Sequence, residues 1–229
     1  MAIVGLNFLT ILYTTYSTSL NLDYLLEKYA EDIPVQFERF IRGFNSPVYA
    51  SQHLIGKLLL ATSLKENGYE DSINLIWNCP KGKHGKRYLP NGPFFNISHT
   101  DGLVVVVLSS LAPIGVDAEK IRDVDPFRYK NRLFHESEWI ALQKRRNVPS
   151  KFWEFWTQKE ATMKADGRGF SMGAKNILLS NEKSVLLDSN EMCFLKVINT
   201  IPGYCISIAC SSSLNNVDIK HVNLEFLHL

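Results

Sequence analysis

The sequence predicts an α+β protein of two pseudo-symmetric subdomains, residues 1–112 and 113–229, each a small, mainly antiparallel sheet packed on a long helix, with the active site in the cleft between them. Three observations carry this. Ala112-Pro113 marks a boundary after which the order of elements restarts. Phe94–Ser98 and Leu103–Ser109 flank His99-Thr100-Asp101-Gly102, which reads as a hairpin turn and hence an antiparallel pair. Each half also holds one long helical stretch, about 47–66 and about 151–165. A chain of 229 residues suits one large domain or two small ones.

In the first half, residues 3–13 are rich in β-branched and aromatic residues and read as a strand. The same apolar start resembles a signal peptide, but it lacks a basic leading region and Asn7 interrupts it. Asn21–Ala30 and Val35–Gly43 read as short helices. Ser46-Pro47 supplies an N-cap and a proline at the first helical position; Leu54, Leu58 and Ala61 share one face, and Asn67-Gly68 ends the helix. Ile73–Trp77 reads as a short strand, followed by a polar loop to Pro93. Leu103–Leu108 is continuously apolar, as in a strand buried on both faces. The second half reads as a strand at Ile114–Glu119, helices at about 126–145, the long helix, and strands near 177–179, 184–187, 192–199 and 203–210. Ile3-Val4-Gly5-Leu6-Asn7 matches Pro113-Ile114-Gly115-Val116-Asp117 as a degenerate duplication. The first copy has Asn7 and Leu9 where the second has its acids, so a monomer with one working site is expected.

Hydrophobic residues at 45% and charged residues at 21% mark a folded chain. A net charge of +2 gives no case for a nucleic-acid partner, and no stretch is apolar enough for a membrane. The four cysteines match no zinc spacing and read as reduced thiols in a cytoplasmic protein.

Asp117 and Glu119 stand two apart in a strand, so both carboxylates share a face. Glu160 and Lys164 are i and i+4 on a helix, with Trp156 one turn earlier. Taken singly, the first pair equally suits a solvated strand end and the second a surface ion pair. Together they offer hard oxygen ligands and lysines for holding a divalent cation against a polyphosphate. His99 and Ser98, near a turn, are able to donate to a phosphate.

Three blocks, Phe95-Asn96-Ile97-Ser98-His99-Thr100, Ile114-Gly115-Val116-Asp117-Ala118-Glu119 and Trp156-Thr157-Gln158-Lys159-Glu160-Ala161-Thr162-Met163-Lys164, closely resemble the ordered signatures of the Sfp-type 4′-phosphopantetheinyl transferases. The trailing Gly167-Arg168-Gly169-Phe170-Ser171 also resembles that family. The resemblance implies transfer of the phosphopantetheine arm of coenzyme A to a serine of an apo acyl or peptidyl carrier protein, releasing adenosine 3′,5′-bisphosphate. It implies Asp117, Glu119 and Glu160 as ligands of Mg2+, and Glu160 also as base for the carrier serine. Lys164 would offset charge on the departing phosphate, with Lys159 beside the same phosphates. Ser98 and His99 would grip the 3′-phosphate, and Lys86 would lie near the nucleotide.

The chain departs from the family pattern in two places. Arg87 stands where many relatives have proline, and Ser51-Gln52-His53 holds no arginine where many place one. Nucleotide affinity is therefore expected to draw on Arg39, Arg42, Lys86, Arg87 and His99. The basic run Lys144-Arg145-Arg146 with Lys151 suits an acidic carrier helix or a solvated helix end; Phe127 and Phe134 suit an apolar docking surface or core packing. Two rival readings are a magnesium-dependent nuclease or phosphodiesterase and a non-catalytic carrier-binding module. Which carrier is served, from fatty-acid, polyketide or nonribosomal-peptide synthesis, is not legible.

Overall fold

The computed structural model describes residues 7–17 and 19–227. Two mainly antiparallel sheets lie between helical layers. In the first half, β1 (Leu9–Thr15), β2 (Phe94–Thr100) and β3 (Leu103–Ser109) form a sheet with α1 (Leu22–Lys28), α2 (Val35–Arg42) and α3 (Pro47–Glu66) against it. In the second half, β4 (Ile114–Lys120) precedes the short α4 (Lys130–Leu133), α5 (Glu136–Gln143) and the long α6 (Val148–Asp166). Strands β5 (Ile177–Ser180), β6 (Lys183–Leu186), β7 (Met192–Ile198) and β8 (Tyr204–Cys210) follow, and β9 (Asp218–His221) comes last. The sheet orders are β2-β3-β1-β9 and β4-β8-β7-β6-β5.

Strand β3 is buried along its whole length because it has two apolar layers to satisfy. Val104, Val106 and Leu108 pack toward α3, while Leu103, Val105 and Val107 pack on Ile114, Val116, Ile206 and Ile208 of the second sheet. Alternation along a strand thus joins the halves face to face.

Helix α3 starts and stops where its caps predict. Ser46 accepts from the Tyr49 amide, Pro47 opens the helix, and Gly68 takes φ +77° just beyond it.

Several expectations need correction. The first strand is Leu9–Thr15; residues 3–6, with most of the supposed duplication match, lie outside the described residues. Thr14 and Thr15 carry the strand further because β3 pairs with them as far as Leu103. Ile73–Trp77 is not a strand but part of a 3₁₀ segment, Glu70–Asn78. The Ile76 carbonyl there accepts from the buried Lys57 ammonium instead of a neighbouring strand. His99 and Thr100 belong to β2, so the hairpin turn is only Asp101-Gly102. The 126–145 region breaks at Phe134-His135, where extended His135 opens α5 in a capping box with Glu138. The sequence reading missed β9, which returns to pair parallel with β1 of the first sheet. No helix of the described residues is long and apolar enough to cross a membrane.

Candidate active site

Strands β2 and β4 are edges of different sheets, yet they run side by side. Asn96 Oδ1, Ser98 Oγ and Thr100 Oγ1 accept from the amides of Val116, Ala118 and Lys120 at 3.0, 3.2 and 3.3 Å. Three alternate side chains of one strand thereby do what a backbone ladder does within a sheet. The polar alternation Asn-x-Ser-x-Thr is the signal that marks this edge.

The other face of β4 meets α6. A Cβ on Gly115 would stand 2.1 Å from the Ala161 carbonyl oxygen and 2.4 Å from the Ala165 amide nitrogen, so only glycine admits the helix this closely. The approach brings Lys164 Nζ within 2.6 Å of Asp117 Oδ1 and 3.1 Å of Ser98 Oγ. Ser98 Oγ in turn donates to Asp117 Oδ1 at 3.1 Å. Glu119 accepts from Thr100 Oγ1 and Arg122 Nη1, each at 3.4 Å. Burial first, then the neighbouring Asp117 and Glu119, push the Glu160 carboxyl up to about 7, with Lys164 opposing them. Burial, then Asp117, also raises Glu119. Three carboxylates and one lysine from two distant segments therefore share one electrostatic neighbourhood.

The donor chemistry suits a hard divalent cation. All three acids offer oxygen, and Asp117 Oδ2 is buried without a hydrogen-bond partner, an acceptor a cation would satisfy. Among the described residues no group of three such side chains stands already gathered for a metal, and Lys164 holds the other Asp117 oxygen.

The remaining expected residues divide. His99 is half-buried against the Tyr49 ring, and burial and then Lys164 lower its pKa. It lines a cavity of about 280 Å³ with Tyr49, His53, Lys57 and Arg87. Ser98, expected on a phosphate, already uses its hydroxyl on Asp117, Lys164 and the Ala118 amide. Lys86 reaches the carbonyls of Ile114 and Ala165 at 3.0 and 2.9 Å, pinning its loop to β4 and the end of α6; burial lowers it to about 8. Lys159, expected beside phosphates, is 0% exposed and points into the interior instead. Arg42 lies on the surface with Asp23 and Glu38, and Arg39 is exposed. Gln52 is buried, donating to Tyr16 and the Thr100 carbonyl. Arg87 donates to the Cys79 carbonyl.

A second cavity, about 380 Å³, opens beside Glu160 and is lined by Tyr129, Leu133, Trp156, Phe170 and Ala174 among others. Trp156 Nε1 is buried there without a partner. Phe127 is 67% exposed, whereas Phe134 is core. Lys144, Arg145 and Arg146 are exposed between α5 and α6, and Lys151 pairs with Glu154. Sequence reasoning missed His53, Lys57 and Gly115; of these, only the glycine inside a strand gave a signal, since glycine there marks a close backbone approach.

A family model described as the 4′-phosphopantetheinyl transferase superfamily matches residues 113–209, which contain β4, α6 and all four residues of the acidic site. The chain is 29% identical over 198 residues to "4'-phosphopantetheinyl transferase gsp" of Aneurinibacillus migulanus, covering 83% of this chain and 81% of the relative. It is 25% identical over 210 residues to "4'-phosphopantetheinyl transferase Sfp" of Bacillus subtilis (strain 168), covering 88% and 92%. A shorter match, 33% identical over 91 residues, is to "4'-phosphopantetheinyl transferase AcpT" of Salmonella typhi, covering 38% and 47%.

Proposed function

We infer from the family-model match and the relatives above that the chain is a 4′-phosphopantetheinyl transferase, and we propose that it transfers the 4′-phosphopantetheine arm of coenzyme A to a serine of an apo acyl or peptidyl carrier protein. The serine oxygen bonds to the β-phosphorus as the bond to the bridging oxygen breaks. The bridging electron pair leaves with adenosine 3′,5′-bisphosphate. Such a displacement needs alignment and charge neutralisation more than covalent help.

The observation that carries this reading is the meeting of Asp117, Glu119, Glu160 and Lys164 across β4 and α6. Glu160, with a pKa raised to about 7, suits the base that takes the serine proton. Lys164, anchored on Asp117, suits the cation that steadies the departing phosphate. Asp117, Glu119 and Glu160 would hold Mg2+, which when bound neutralises charge on the pyrophosphate. We assign the nucleotide end to the cavity bordered by His99, His53, Lys57 and Arg87. Lys86, which also lines this cavity, acts as a strut through its bonds to the Ile114 and Ala165 carbonyls, and Ser98 serves by orienting Asp117 and Lys164. Exposed Phe127 and the basic turn 144–146 suit contact with a carrier. The surface pairing of Arg42 supports no nucleotide role for it, and Arg39 is exposed with no contact to the site among the described residues. Four buried free thiols fit a reducing cytoplasm, and one site per chain fits a monomer.

Incubation with coenzyme A, Mg2+ and apo carrier proteins, read by intact mass, tests the proposal. A phosphopantetheine-sized gain on the carrier is expected with the wild type and not with Glu160→Gln. No gain on any carrier, together with magnesium-dependent cleavage of plasmid DNA, would favour the phosphodiesterase instead.

A further inference from the structure

Lys159 sits next to Glu160 in sequence but about 100° further round the helix, facing the protein interior. Its ammonium is 0% exposed and lies 2.7 Å from Glu138 Oε2, itself 3% exposed at the start of α5. It also donates to the carbonyls of Leu133, Ala174 and Ile177 at 2.7, 3.1 and 2.8 Å. Glu138 is equally committed: its Oε1 accepts from the Leu179 amide at 3.0 Å and its Oε2 from the His135 amide at 2.8 Å. Every hydrogen of the ammonium and both carboxylate oxygens are thus engaged inside the protein, leaving neither group available to a ligand.

Burying such a pair costs several kcal/mol per ion before any return from their attraction, so a stability role alone is a weak reason for its presence. The location offers a better one. Leu133 and Ala174 line the cavity that Glu160 also borders, one from the end of α4 and the other from the turn before β5. Among the described residues no backbone hydrogen bond links segment 130–134 to segment 169–177. The Lys159 ammonium, reaching carbonyls in both, is the polar tie between these walls.

We propose that Lys159 and Glu138 are positioning residues for the transfer: their buried ion pair fixes the separation of the two walls of the cavity beside Glu160, and with it the approach of the incoming carrier serine to that carboxylate. The proposal rests on the transferase reading for its catalytic half. Its structural half, the tie between the walls, stands on the geometry alone.

The test uses the full chain with Glu138→Gln, Lys159→Met and the double variant. Three quantities are read: kcat for carrier modification, coenzyme A affinity by calorimetry, and amide hydrogen exchange in segments 133–135 and 173–179. Glu138→Gln keeps the shape and one of the two acceptor oxygens while removing the charge, and is the variant most able to fold, so it carries the test if Lys159→Met does not. A positioning role predicts that Glu138→Gln lowers kcat by about 10- to 100-fold, since small misplacements near a reacting group have that effect. Coenzyme A affinity should stay within about twofold, exchange in both segments should rise, and the double variant should be little worse than the worse single one. Unchanged kcat with only a lower melting temperature would reduce the pair to a structural element and overturn the proposal. So would weakened coenzyme A binding confined to Lys159→Met, the mark of a phosphate ligand. If the wild type modifies no carrier, the transferase reading fails, and unchanged exchange in Glu138→Gln would separately remove the tie.

Discussion

Gly115 decides whether the site exists. Its missing Cβ lets β4 and α6 touch backbone to backbone, and an added methyl group would collide with Ala161 and Ala165 main-chain atoms, which cannot swing aside. Gly115→Ala should therefore cost about 3 kcal/mol or more in urea denaturation, at the upper end of overpacking penalties, and reduce transfer as Lys164 leaves Asp117. Ser98 acts at the same scale. Its hydroxyl is wholly taken up by Asp117, Lys164 and the Ala118 amide. Ser98→Ala should lower kcat while leaving coenzyme A affinity within about twofold in calorimetry, the reverse of what loss of a phosphate ligand gives. His53 sits in a ring of Phe37, Phe40, Phe44 and Tyr49, its Nε2 buried without a partner, and burial lowers its pKa to about 4. Above the unfolded-state value of about 6.5 both states are neutral and the full stability is present. As pH falls from there toward 4 only the unfolded state gains a proton, so stability is lost across that window, by about 2 kcal/mol after allowance for solvent screening. Melting curves of His53→Gln should show a flatter dependence between pH 4 and 6.5 than the wild type.

Among elements, α6 does most to bring the site together, and it was the most legible. Asn147 caps it, Gly167 ends it in the left-handed region, and Glu160 and Lys164 face β4 one turn apart. The blocks around Asp117 and Glu160 could be read from sequence because side chains two apart on a strand and four apart on a helix must share a face. The seam between β2 and β4 could not be read so directly. Whether Asn96, Ser98 and Thr100 meet solvent or the edge of another sheet depends on how the halves dock, which no local pattern encodes. Lys159 misled for a related reason: a lysine beside the proposed base Glu160 suits a phosphate as well as a buried carbonyl cluster until α5 is placed beside it. Asn96→Ala should cost about 1–2 kcal/mol by leaving the Val116 amide unsatisfied, measured by chemical denaturation.

At the scale of the whole molecule, the two halves are bound by more than their shared cleft. After the second sheet is complete, β9 crosses back to the edge of β1, Lys28 pairs with Glu225, and Leu227 is fully buried in the first-half core. This return is carried by only four strand residues of mixed polarity, Asp218–His221, too short and too polar to announce a strand in sequence. Leu227→Ala should destabilise the protein by about 2–3 kcal/mol in thermal or urea unfolding, although it lies at the far end of the chain from most of that core. Within the second half, the close packing of β4 on α6 brings the acids of the strand and the glutamate of the helix into one neighbourhood, and cation binding probes that convergence most directly. Mn2+ titration followed by electron paramagnetic resonance, with coenzyme A present, should give one tight site per wild-type chain, greatly weakened in Asp117→Asn, Glu119→Gln and Glu160→Gln alike. Undiminished Mn2+ binding in all three correctly folded variants would contradict a single cation site shared by the two segments.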